Sequence, residues 1–172
     1  MVNRSRKLEE LKALRDILNM KVAGIENYPS GPSMVVANHN CLMDIFYLPA
    51  AILEPTVSVI SPRLIYKPIS ERQSMVNRYL YAMPVEAHGG IVYSNMCLQQ
   101  ASSLLASGIS LNMFPEGAYL EQNNYIYRGR TGAARILFQS REHGVQPHLV
   151  PVAIDIRSEH LDLDSYAPSN DA

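Results

Sequence analysis

Five short apolar runs, at 34–37, 57–60, 81–85, 109–114 and 149–154, recur along the chain with longer stretches between them. Runs of four to six residues bounded by turn residues are too short for buried helices and suit strands. Most of the stretches between them have helical spacing. The segment 45–53 is apolar throughout and predicts a helix that Pro49 either bends or starts late. Helical pieces are expected over 63–81, interrupted at Pro68. Over 94–107, Cys97, Ala101, Leu104 and Leu105 form one stripe that stops at Gly108, and over 131–143 Ala134, Ile136 and Leu137 turn inward before Gly144. Pro84 in the third run marks an edge strand or a bulge, because proline has no N–H to give to a ladder, and Gly89-Gly90 closes that run with a flexible turn. Strands alternating with helices predict an α/β fold: a largely parallel, mixed sheet flanked by helices.

At 172 residues, 47% hydrophobic and 18% charged, the chain fits one globular domain with an ordinary core. A net charge of −1 gives no reason to expect a nucleic-acid partner. Cys41 and Cys97 share no metal-ligand spacing and make no disulfide framework, so a reducing compartment, the cytoplasm, is expected. No run approaches the ~18 apolar residues that cross a bilayer, and the basic N-terminus lacks the apolar stretch of a signal peptide. There is no internal repeat. A chain like this that acts on lipid works from the membrane surface.

Residues 1–22 form the N-terminal piece, with an amphipathic helix predicted over 5–20 from Leu8, Leu11, Leu14 and Leu18, and Ser5 as its cap. Arg4, Arg6, Lys7, Lys12, Arg15 and Lys21 stand there against Glu9, Glu10 and Asp16, an excess of three positive charges. Such a helix either lies on an anionic membrane or packs its leucines on the domain. The excess of Arg63, Lys67, Arg72 and Arg78 over Glu71 suits either a phosphate-bearing ligand or a solvated face.

Two polar tips directly follow strands, where parallel sheets place their chemistry. The first is Asn38-His39-Asn40, followed by Asp44. On an ideal helix five positions leave two side chains about 140° apart. His39 and Asp44 therefore meet only if the histidine sits on a turn before a helix and the aspartate on its first turns. That arrangement would hold one imidazole nitrogen with a carboxylate and leave the other to take a proton. A loop histidine followed by an ordinary acidic helix start fits the same residues, and the pattern alone leaves both open. The second tip is Phe114-Pro115-Glu116-Gly117, in which proline and glycine force a sharp turn around a carboxylate. By itself it is a surface turn.

Together, Asn38-His39 with Asp44, Phe114-Pro115-Glu116-Gly117 about seventy positions on, Gly132-Ala133-Ala134-Arg135 and Val150-Pro151-Val152-Ala153-Ile154 resemble the glycerolipid acyltransferase family, which includes the bacterial 1-acylglycerol-3-phosphate acyltransferases. The resemblance covers a core of 24–156. It implies transfer of a fatty acyl group from an acyl-coenzyme A or acyl-carrier-protein thioester to a lipid hydroxyl, by an enzyme peripherally associated with the membrane and needing no cofactor or metal. His39 is then the general base and Asp44 its orienting carboxylate. Asn38, Phe114, Pro115, Glu116 and Gly117 are placed in the substrate site, with 150–154 supporting the sheet beside it. Backbone N–H groups at a helix N-terminus or near Gly117 are the expected donors to the oxyanion.

Three departures bear on the substrate. The family's motif usually continues Thr-Arg, where this chain reads Ala118-Tyr119. A second arginine usually follows the strand that ends here in Pro84-Val85-Glu86, where this chain has Ala87-His88. Both are associated with the acceptor's phosphate, leaving His88, Arg128 and Arg130 as substitutes from outside the motif positions. Family members also continue past the last strand, whereas 157–172 is an acidic tail, so the C-terminal part of the family fold is expected to be absent. A non-catalytic lipid-binding module, a thioesterase with water as acceptor, and a metal site built from His39, Asp44, His88 and Glu116 are the competing readings.

Overall fold

The computed structural model describes residues 4–60, 81–85, 90–117 and 128–155. Among the described residues, nine regular elements run in the order α1 (Arg4–Ile17), β1 (Ser33–Ala37), α2 (Asp44–Ile52), β2 (Val57–Ile60), β3 (Tyr81–Pro84), α3 (Gly90–Ala106), β4 (Leu111–Met113), α4 (Gly132–Glu142) and β5 (His148–Val152), with a short 3-10 turn at Ile25–Asn27. The helical pieces expected over 63–80 and the acidic tail lie outside the described residues.

The strands form one sheet in the order β3-β2-β4-β1-β5, and every pairing among the described residues is parallel. Alternate residues of β1 face opposite sides. Val35 and Ala37 join Leu14 of α1 and Ile45, Phe46 and Leu48 of α2 in one core. Met34 joins Leu98, Ala101 and Leu105 of α3 and Ala133 and Ile136 of α4 in the other. The result is a three-layer sandwich whose middle layer is hydrophobic on both faces, which is why these strands read as continuous apolar runs.

The differences from expectation have local causes. α2 starts at Asp44 and runs through Pro49, whose carbonyl still accepts the Leu53 N–H at 3.1 Å; burial of almost the whole helix outweighs the lost donor. Ser5 lies inside α1 and not at its cap. Of the N-terminal leucines, Leu11 and Leu14 are buried, so α1 packs its apolar stripe on the domain. Lys7 goes in with them: its Nζ lies 5.1 Å from the Tyr81 ring centre and 3.9 Å from a Glu10 carboxylate oxygen, and burial pushes its amine below the usual lysine range. Pro84 ends β3 at the edge of the described sheet, as its missing donor requires.

Candidate active site

The pairing of β1 with β4 builds the site. Met34 is in register with Leu111 and Val36 with Met113. The loops leaving the two strands at the same edge, 38–43 and 114–117, are therefore neighbours although more than seventy positions apart in the chain.

Asp44 is the first residue of α2, and His39 lies in the loop before it. The His39 Nδ1 is 3.0 Å from Asp44 Oδ2. A carboxylate only accepts, so Nδ1 is the donor of this contact, and in the neutral imidazole that leaves the lone pair on Nε2. Asp44 is completely buried, a position that is costly unless its oxygens are hydrogen-bonded. Oδ2 also accepts the Asn40 N–H, and the Cys41 N–H at 2.8 Å, while the Cys41 thiol donates to Oδ1 at 3.6 Å. The α2 N-terminus adds a favourable dipole. Burial first, and the Asp44 charge second, push the Cys41 thiol up to about 11, so it remains a thiol. Burial and the same neighbours push Tyr47 up to about 12.

The second tip grips the first. The Phe114 ring stacks on the imidazole, with centres 4.2 Å apart and planes inclined by 18°. Glu116 Oε1 accepts the His39 N–H at 2.9 Å. Gly117 sits at φ +74°, a left-handed conformation that glycine adopts without strain, and its N–H donates to the Phe114 carbonyl at 3.1 Å. The Gly117 N–H is thus used in the turn, and the Asn40 and Cys41 N–H groups are used on Asp44. Pro115 accepts the Arg130 N–H at 2.7 Å, which lays 128–130 along the turn.

β5 holds the loop from the other side. The Asn38 amide accepts the Ile154 N–H at 2.7 Å and donates to the Ile154 carbonyl at 2.9 Å, which extends the β1–β5 ladder by a side chain. The Asn40 amide donates to the same carbonyl at 2.9 Å. The structure therefore brings together Asn38, His39, Asp44, Phe114, Pro115, Glu116, Gly117 and Arg130. Arg128, two positions before Arg130, is exposed. His88, Ala87, Ala118 and Tyr119 lie outside the described residues. Sequence reasoning had no signal for the ring stacking, the Glu116 contact to His39, or the place of Asn40. Among the described residues no three His, Cys, Asp or Glu gather as a metal-binding group, and no helix is long and apolar enough to cross a membrane.

The model of the Acyltransferase family matches residues 19–155, a span that contains both tips and all five strands. The chain belongs to the Acyltransferase family. This member has the fold of a solved relative: the crystal structure of the 1-acyl-sn-glycerophosphate (LPA) acyltransferase PlsC from Thermotoga maritima aligns with a TM-score of 0.56 at 19% identity, over 96% of this chain and 79% of that one. No curated protein matches the sequence. The chain is thus an acyltransferase-family protein with a PlsC-like fold.

Proposed function

We propose that the protein moves a fatty acyl group from an acyl-coenzyme A or acyl-carrier-protein thioester to the hydroxyl of a lysophospholipid or other lipid acceptor, at the membrane surface. The observation that carries this reading is the His39–Asp44 pair at the carboxyl edge of the sheet, with its imidazole stacked on Phe114. An alcohol is a poor nucleophile at neutral pH. As the acceptor oxygen attacks the thioester carbonyl carbon, Nε2 of His39 takes its proton, and Asp44 stabilises the imidazolium that forms. The tetrahedral intermediate collapses by breaking the carbon–sulfur bond. The proton passes from Nε2 to the departing sulfur, which leaves as a free thiol, and the base is restored. No side chain is acylated. PlsC, by its name, acylates 1-acyl-sn-glycerophosphate, and an acceptor of that general kind suits this site.

Purified protein is given an acyl thioester and a panel of lysolipids, and free thiol is measured. Release should depend on the lysolipid, and His39→Ala should remove at least 10³ of it, on the order of a lost general base in a unit that acts together. Acceptor-dependent release that survives His39→Ala would overturn the mechanism. Release at equal rates with and without lysolipid would instead select hydrolysis.

A further inference from the structure

His39 stands between two asparagines, and both are tied to one peptide carbonyl. The Asn38 Oδ1 accepts the Ile154 N–H at 2.7 Å, which fixes the orientation of that amide. Its Nδ2 is then left to donate to the Ile154 carbonyl at 2.9 Å and to Asn40 Oδ1 at 3.2 Å. The second contact fixes the Asn40 amide in turn, and the Asn40 Nδ2 donates to the same Ile154 carbonyl at 2.9 Å. A carbonyl oxygen has two lone pairs, and here each takes one asparagine. The side chains at 38 and 40 thus reach the end of β5, while the side chain between them reaches the loop after β4 and stacks on Phe114. Neighbouring side chains of an extended chain point to opposite sides, and β1 lies between β4 and β5.

The two asparagines are not equivalent. Asn38 closes the ladder between β1 and β5, whereas Asn40 also sends its main-chain N–H to Asp44 Oδ2. The same oxygen takes His39 Nδ1 at 3.0 Å and the Cys41 N–H at 2.8 Å. The peptide joining 39 to 40 and the imidazole therefore converge on one atom, and the orientation of that peptide sets the carboxylate against the ring. Asn40 is only half-buried, so its hydrogen bonds, more than packing, hold it in place. We propose that Asn40 is a positioning residue for the base. Its amide, anchored on the Ile154 carbonyl, aims the 39–40 peptide at Asp44 and keeps the carboxylate on His39 Nδ1, so that Nε2 stays free to take a proton. Asn40 acts through Asp44 and not on the substrate. The proton-taking half of this statement rests on the acyl-transfer reading; the orientation half does not. A misplacement of about 1 Å at reacting atoms costs on the order of 100-fold in rate, so a single anchor on this loop carries weight.

The full chain is compared with Asn40→Ala, Asn40→Asp and, as a remote control, Asn95→Ala, which removes an exposed amide on α3 bonded to Arg135. Each is checked for an unchanged melting temperature. Asn40→Asp keeps the shape and the acceptor for Asn38 but loses the donor to Ile154, so it carries the test if the alanine variant does not fold. The first measurement is the ring-nitrogen magnetic resonance spectrum of His39, identified by its loss in His39→Gln, with no turnover involved. The two nitrogens of a neutral imidazole resonate far apart in a single tautomer and draw together in a mixture. They should lie far apart in the unaltered protein and in Asn95→Ala, and draw together in both Asn40 variants. The second measurement is thiol release with acyl thioester and lysolipid. Both Asn40 variants should lower kcat about 10- to 100-fold and leave KM for the lysolipid within about twofold. Added to Asp44→Asn, Asn40→Ala should cost less than about threefold, because the carboxylate it aims is gone. An unchanged nitrogen spectrum, a loss confined to KM, or an equal loss of kcat with and without Asp44 would each overturn the assignment. A changed spectrum in a protein that releases no thiol would uphold it and remove the acyl-transfer reading alone.

Discussion

Asp44 and Asn112 are both completely buried polar side chains, and the fold treats them in opposite ways. Asp44 has its oxygens supplied by an imidazole, two backbone N–H groups and a thiol. Asn112, at the middle of β4, donates to the Thr56 hydroxyl, but its Oδ1 has no partner among the described residues, and neither does the hydroxyl of Ser58 in register beside it. A buried polar group without a partner costs about 1–3 kcal/mol, whereas a satisfied one can be held at little net cost. The difference teaches where the molecule's polar order is concentrated. Beside the base four donors converge on one carboxylate, while a polar cluster deeper in the same sheet is left incomplete.

The comparison is broken most severely at Asp44. Asp44→Asn should keep the shape but disturb the imidazole tautomer and remove the charge that stabilises the imidazolium, lowering thiol release on the order of 10³-fold. The check is activity beside a thermal melt: an activity loss no larger than the fraction of protein unfolded would make Asp44 a structural carboxylate like any other.

Cys41 sharpens the same side. Its thiol ionises near 11 instead of the ordinary 9.0, so at pH 8 its thiolate fraction, and its alkylation rate with iodoacetamide, should be about 100-fold below that of an exposed cysteine. The rate should climb up to about pH 11. In stability the sign follows from the unfolded chain ionising first: the contribution is whole below pH 9 and is lost as pH rises from 9 to about 11. A rate that levels off near pH 9 would mean that neither burial nor the Asp44 charge raises this thiol.

The smallest effect belongs to the incomplete cluster. Ser58→Ala removes a hydroxyl that has no described partner, and should raise stability by about 1 kcal/mol in denaturant melts with thiol release unchanged. A loss of stability would show that the hydroxyl is satisfied after all, and the contrast with Asp44 would fade.

Much of the site was legible because its two halves are local. His39 and Asp44 meet across a strand-to-helix junction, which a spacing of five positions demanded, and Pro115 and Gly117 announce a turn without reference to anything else. The paired signals also pointed to the family and hence to the fold. The contacts inside that site were less legible. The Asn38 amide pairs with Ile154, and Glu116 accepts the His39 N–H. Both contacts join residues 77 or 116 positions apart, and no local pattern carries information over such separations.

The order of strands and helices, the sharpness of the two tips and the chemical types within them follow from the sequence alone, because apolar periodicity, proline and glycine act on the chain over a few residues. Tertiary structure decided that β1 lies between β4 and β5, and so that Phe114 stacks on the imidazole, Ile154 locks Asn38, and Arg130 covers Gly117. Strand order is chosen by how two apolar faces are covered by four helices at once, a property of the packed whole that no single segment contains.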